Sequence, residues 1–248
     1  MTVGVQIFNK HQTIQITNND YPYVLLKSTR IDSSYKWNTS NGISYIENAL
    51  GMKYRDDFDD IVTFYYCSNK RIMCSLSATG RLYKWHNQSL GQNDYIDIYA
   101  FTRIKPREQG RSGLQLFNRE KGLVFDSSWY ILNITGFYVI PAQTPSVSNL
   151  DINNIYQINT HFDNGRYAVA LSTYKQAYFF RFNPYEFVEA QNAIWMEDST
   201  IKINWIPINR QKRGEGIWAS QSGFGQKNET YAYVIDTTNL PIPYEIRI

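Results

Sequence analysis

The run "RDDFDD" gathers Asp56, Asp57, Asp59 and Asp60 into the densest acidic cluster of the chain. Two carboxylates at i and i+2 on a strand or turn can share a hard cation such as calcium. The spacing does not fit an EF-hand loop, so the cluster reads as a solvated turn ahead of a strand, with cation binding left open. Paired carboxylates also carry glycoside hydrolysis. Distance along a chain does not reveal such a pair, and no enzyme is expected. His11, His86 and His161 have no metal-ligating neighbour at short spacing, so no zinc signature is present. A G-x-S-x-G elbow and a Cys–His signature are missing as well. The segment "RGEGIWASQSGFGQKN" holds Gly214, Gly216, Gly223 and Gly225 without the dinucleotide fingerprint. The expectation is a chain with no catalytic, cofactor or metal site.

The same region offers contact chemistry instead. Trp205–Thr230 reads as a long loop insertion with a basic run, Arg210, Lys212 and Arg213, and two aromatics, Trp218 and Phe224. Apolar aromatics in a flexible loop often insert into a partner. They can equally tuck back onto their own domain. These five residues are the candidate partner-binding set.

The elements that must position them are β-strands. Aromatic residues make up 16% of the chain, with 20 Tyr, 13 Phe and 6 Trp. Such residues favour pleated, half-buried surfaces, and Tyr also suits wet interfaces. Runs such as "DIVTFYYCS", "RIMCSLSA" and "RLYKWHN", broken by "NK" and "TG", carry the hairpin pattern. "ISYIENALGMKY" and "NPYEFVEAQNAIW" are the two short helix candidates. Cys67 and Cys74 flank the first turn. A cross-strand bridge is conceivable there, and two unpaired core thiols are the favoured reading.

Net charge is +3 and spread along the chain, which argues against a nucleic-acid partner. No apolar stretch reaches the roughly 18 residues of a membrane span. No secretory signal is expected from the opening "MTVGVQIFNK". The sequons at Asn38, Asn87, Asn133 and Asn228 then read as by-products of composition.

The chain also repeats itself. "GVQIFN" at Gly4 returns as "GLQLFN" at Gly113, an offset of 109. "FDD" at Phe58 returns as "FDN" at Phe162, followed by "VTFYYCSNKRIMCSL" over "RYAVALSTYKQAYFF". Trp85 can lie over Trp205, and "YAF" at Tyr99 over "YAY" at Tyr231. The order of the blocks is kept while the gaps differ. This predicts an all-β chain of two tandem antiparallel β-sandwiches, jelly-roll-like and related by internal duplication. The first copy spans residues 1–107, a polar linker 108–112, and the second copy 113–248. Phe8 and Phe117 are expected as inward core residues of equivalent strands.

"GLQLFNREKGLVFDSSW" resembles the opening of small tail-associated proteins of long-tailed bacteriophages, encoded among the tail-tip and tail-fibre genes. Gly113, Gln115, Phe117, Asn118, Val124, Phe125, Asp126 and Ser127 fit that pattern. Gly4, Gln6, Phe8 and Asn9 fit it in the first copy, which departs at "IQITNND". The resemblance implies a non-enzymatic structural protein of the distal tail, assembled in the bacterial cytoplasm into the virion. Its partners would be other tail proteins and further copies of itself in a ring. The alternative is a tail protein that recognises a host-surface receptor or carbohydrate.

Overall fold

The computed structural model describes residues 7–8, 14–16, 22–52, 60–77, 80–103, 113–118, 120–142, 156–163, 165–182, 185–212, 223–224 and 228–246. Asp56, Asp57, Asp59, Arg213, Trp218 and the linker 108–112 lie outside them. Every regular element among the described residues is a strand. The first half holds β1 (Ile7–Phe8), β2 (Ile14–Ile16), β3 (Tyr23–Asp32), β4 (Asn38–Ser40) and β5 (Ile43–Ile46). It continues with β6 (Val62–Cys67), β7 (Cys74–Leu76), β8 (Leu82–Lys84) and β9 (Tyr95–Arg103). The second half holds β10 (Gln115–Phe117), β11 (Leu123–Asp126), β12 (Ile134–Ile140), β13 (Tyr156–Asn159), β14 (Tyr167–Leu171) and β15 (Gln176–Phe182). It ends with β16 (Tyr185–Glu197), β17 (Thr200–Lys212), β18 (Gly223–Phe224), β19 (Thr230–Asp236) and β20 (Tyr244–Glu245).

These strands form a sandwich-like all-β body with antiparallel ladders. A seven-stranded sheet runs β12-β19-β14-β6-β9-β3-β20. A four-stranded sheet, β4-β5-β8-β7, and a five-stranded sheet, β13-β17-β16-β15-β18, pack against it. The pairs β1–β2 and β10–β11 stand as separate hairpins.

The seam of the large sheet is β6 against β14, with Tyr65 opposite Val169. Outward from the seam, the order is β6-β9-β3 on one side and β14-β19-β12 on the other. In each half the chain visits the outer strand first, the seam strand next and the middle strand last. The registers run in parallel too. Ile7 faces Ile16 and Phe8 faces Ile14 across a bulge. At an offset of 109, Leu116 faces Phe125 and Phe117 faces Leu123, again across a bulge. The bulge at Leu25/Lys27 in β3 has its counterpart at Ile134/Gly136 in β12, at the same offset. Those ladders put Phe101 on Ile235 and Val62 on Ala168, each two residues beyond the alignment read from sequence. A slip of two leaves every side chain on its face.

One core cluster draws on strands of both halves. Ile31, Tyr65, Ile98, Val169 and Val234 of the large sheet join Leu76 and Leu82 of the four-stranded sheet and Ile194 and Ile203 of the five-stranded one. The reason is the seam, which buries both halves in one continuous layer. Leu25, Phe64, Phe101, Ala170 and Ile235 occupy the opposite face of the large sheet, where Leu240 and Ile242 pack against them.

Three expectations are corrected. Asn183–Trp195 is not helical: β16 runs from Tyr185 and pairs along its length with β15 and β17. Ile43 opens strand β5 rather than a helix, with turns following at Glu47–Leu50. The strands around "NK" do not pair as a hairpin. After Cys67 the chain crosses from the seven-stranded to the four-stranded sheet, and β7 pairs with β8 instead. Cys67 and Cys74 are both buried and unbridged.

Phe117 is not a core residue: it is 55% exposed. The β10–β11 hairpin stands on its other strand. Leu123 and Trp129 pack with Val24, Leu26 and Ile246, leaving the bulged end of β10 in solvent. The side chain of Phe8 lies outside the described residues. Phe117→Ala is therefore expected to cost less than about 1 kcal/mol in urea denaturation. A loss of about 3 kcal/mol would place Phe117 back in a core.

Candidate functional site

Part of the predicted loop is strand. Trp205 to Lys212 lies in β17 opposite β16, and Trp205 is buried among Ala177, Val188 and Ala190. This stretch is laddered to β16 as far as Lys212, so it is not a free insertion. Arg210 pairs in register with Val188, and Lys212 with Glu186. Phe224 sits in β18 opposite Ala177. Of the five candidates, the structure brings Arg210 into a cleft.

That cleft, about 980 Å³ in volume, opens where the three sheets meet. Its first wall is one face of the five-stranded sheet. Gln176 pairs with Gln191 across β15 and β16, and Glu189 pairs with Asn209 across β16 and β17. The period-2 rule puts all four on that face. Deeper along the same face, Ala193, Trp195 and Ile206 pack on Ile43, Met73 and Tyr83 of the four-stranded sheet. The cleft is the place where this apolar contact gives way to polar residues.

Gln191 is buried and spoken for: its amide donates to Ser75 Oγ at 2.7 Å. Gln176, Glu189 and Asn209 are different. None of the three makes a hydrogen bond or ion pair with the protein among the described residues. They are half-buried groups with open hydrogen-bonding capacity.

The facing wall is aromatic. Tyr45 and Tyr83 pair across β5 and β8, with ring centroids 6.0 Å apart. The Arg81 guanidinium lies 4.9 Å over the Tyr45 ring and donates to the Tyr83 hydroxyl at 3.2 Å. It also forks onto Glu47 at 2.9 and 2.5 Å. The Glu47 hydrogen bonds raise the Arg81 pKa above its ordinary value, so Arg81 is a fixed and neutralised cation. Arg210 closes the rim. Its guanidinium lies 3.0 Å from where a side chain on Gly42 would begin, and Asn41 donates to the Arg210 carbonyl at 3.0 Å. Gly42 has φ +73°, so the β4–β5 turn needs glycine for its backbone as well as for this contact. Thr63, Leu171 and Tyr233 of the large sheet complete the lining.

Sequence reasoning missed Gln176, Glu189 and Asn209 because strand pairing, not spacing, brings them together. One signal was present: Glu189 and Gln191 alternate with the apolar Val188 and Ala190. His86 Nδ1 lies 3.1 Å from Ser44 Oγ, and His161 is exposed. Among the described residues no group of His, Cys, Asp and Glu could hold a metal ion.

A second surface lies on the margin of the seven-stranded sheet. β12, "ITGFYVI", carries no charged residue. Phe137 is 56% and Val139 50% exposed, and Phe137 stacks on Tyr231 at 5.0 Å. Among the described residues no strand pairs with the outer edge of β12 along Gly136–Ile140. The corresponding margin of β3 is covered: Tyr244 pairs with Ser28 and Glu245 with Lys27. At the offset of 109, Ser28 and Lys27 correspond to Phe137 and Gly136. One half therefore carries an added strand at the position the other leaves open.

No helix among the described residues is long and apolar enough to cross a membrane. No protein-family model, curated protein or solved structure matches the chain. The described residues define a sandwich-like all-β fold with an open cleft and a sheet edge that no described strand covers.

Proposed function

We propose that the chain is a non-enzymatic structural component of a bacteriophage tail, at its distal end, and that it assembles through the open edge of β12. The observation that carries this reading is the contrast between the two margins of the large sheet. β20 covers β3, while at the equivalent place an uncharged, aromatic strand has no partner on its outer edge among the described residues. Proteins that stay monomeric guard such edges with charge, proline or a covering segment. Strand addition there satisfies backbone groups, and Phe137, Val139 and Tyr231 supply the apolar area. Matching strand orders and bulges support an internal duplication, which would present related surfaces twice. The "GLQLFN" resemblance points to the tail. Arg210, Lys212, Arg213, Trp218 and Phe224 remain candidates for contact with a neighbouring subunit or the host.

Phe137→Asp tests the assembly surface. The isolated variant should melt as the parent does, because the side chain is exposed. Incorporation into particles, read by complementation of a phage lacking the gene, should fall at least tenfold. Normal incorporation would remove β12 as the assembly edge.

The cleft favours a second reading, recognition of a host-surface carbohydrate. Among the described residues it presents one carboxylate, Glu189, whereas glycoside hydrolysis ordinarily uses two. Binding without turnover is the form this reading takes.

A further inference from the structure

We propose that Lys175 and Asn192 become joined by an amide bond between their side chains, formed by the folded chain on itself. The site lies on the face of the five-stranded sheet opposite to Gln176 and Gln191. Ala177 pairs with Ala190 across β15 and β16, and both are buried with Trp205. The ladder runs on past the end of β15, where the Asn192 N–H donates to the Lys175 carbonyl at 3.0 Å. Lys175 and Asn192 therefore stand opposite one another, two residues along from the alanine pair and on its face. Opposite residues of an antiparallel pair have Cβ atoms about 4.5–5.5 Å apart. Lysine's long, flexible stem spans that gap.

Both residues are 2% exposed. Lys175 Nζ and Asn192 Oδ1 are buried, and neither has a hydrogen-bond partner among the described residues. An amine and a carboxamide oxygen left buried and unsatisfied are costly. Uniting the two groups turns the amine into a neutral amide. Burial pushes the Lys175 pKa below its ordinary value, against the opposing charge of Glu229. The amine is thereby held closer to its neutral, nucleophilic form. Thr230 Oγ1 donates to the Thr173 carbonyl at 3.0 Å, which brings the exposed Glu229 to the same turn.

In the reaction the Nζ lone pair attacks Asn192 Cγ, a C–N bond forms, and the carbonyl electrons move onto Oδ1. As they return, the bond from Cγ to Nδ2 breaks and ammonia leaves. The proton that Nζ loses passes through the Glu229 carboxylate to the departing nitrogen. One amide replaces another, and nothing is oxidised or reduced. Cross-strand pairing supplies the proximity that aminolysis of an amide requires. The bond closes the open end of the β15–β16 hairpin in a chain whose two cysteines are unbridged. It needs no oxidant, so it forms in a reducing compartment where a disulfide does not persist.

The test weighs the purified full chain intact by mass spectrometry and maps it by tandem mass spectrometry after digestion. The mass should lie about 17 Da below that of the sequence, the loss of one ammonia, with a branched peptide joining Lys175 to Asn192. Lys175→Met, which keeps a long stem without an amine, should show its full sequence mass. Glu229→Gln should raise the unlinked fraction at least tenfold. Full sequence mass in the parent overturns the inference, and that reading needs no variant to fold. A loss of the same size that persists in Lys175→Met, or that maps elsewhere, overturns it too. So does a loss of about 18 Da, one water, which would make a carboxyl group the acyl donor. Parental linkage in Glu229→Gln overturns the proton-carrying role. All of these outcomes are read on the isolated chain and are independent of the tail reading.

Discussion

Replacing Asp97 by alanine should destabilise the protein by about 3–5 kcal/mol in urea denaturation. Asp97 is fully buried in β9. Arg30, directly across the ladder on β3, donates to its two oxygens at 2.7 and 2.8 Å. Arg166, just ahead of β14, donates to the same carboxylate and to the Tyr99 hydroxyl. One carboxylate thus ties an arginine of the second half to strands of the first. The Arg30 guanidinium also lies 3.9 Å over the Tyr95 ring, and that of Arg166 lies 5.3 Å over Tyr66. Removing the carboxylate leaves two partly desolvated cations side by side. Removing either arginine leaves Asp97 one partner, so Arg30→Ala and Arg166→Ala should each cost less, about 1–3 kcal/mol. A cost below about 1 kcal/mol for Asp97→Ala would make the cluster an ordinary surface ion pair.

Tyr65→Ala should cost a similar amount, about 3–5 kcal/mol. Tyr65 is 1% exposed and sits on the seam strand β6. Its hydroxyl proton is shared between the carbonyls of Cys74 at 2.7 Å and Ile194 at 2.5 Å. The oxygen accepts from the Ile194 N–H at 3.2 Å. One side chain therefore links the seven-stranded sheet to β7 of the four-stranded and β16 of the five-stranded sheet. Tyr65→Phe keeps the ring and strands those backbone groups, at about 1–3 kcal/mol.

The same group gives a pH dependence. Burial raises the Tyr65 pKa well above its ordinary 10.0. The Cys74 thiol, hydrogen-bonded with Cys67 and buried, is raised as well. The folded groups keep protons that the unfolded chain releases as pH climbs through about 9–10. Stability is full below that range and falls as pH rises through it. Tyr65→Phe should flatten this alkaline loss; an unchanged slope would assign it to other groups.

How much of this was legible in the chain follows from what each signal measures. The β class was legible because local pattern decides it. The offset of 109 from "GVQIFN" to "GLQLFN" reappears in matching bulges at Phe8 and Phe117. The shared core was not legible. A turn at Asn69–Lys70 serves equally a hairpin or a crossing between sheets, and only long-range pairing distinguishes them. Phe117 misled because alternation names a face without saying whether a layer covers it. "YEFVEAQNAIW" fits a short helix as well as a strand, and its neighbours β15 and β17 decided the matter. The cleft is furthest from sequence: Gln176, Glu189 and Asn209 meet through two ladders and a bulge at Glu189/Ala190.

The central proposal is that this chain is a tail component. It is tested most directly by quantitative mass spectrometry of virus particles purified from the source organism. The account predicts the chain at a fixed copy number, a small whole-number ratio to the tail-tube subunit set by one ring. Absence of the chain from particles, or a trace amount varying between preparations, would contradict it.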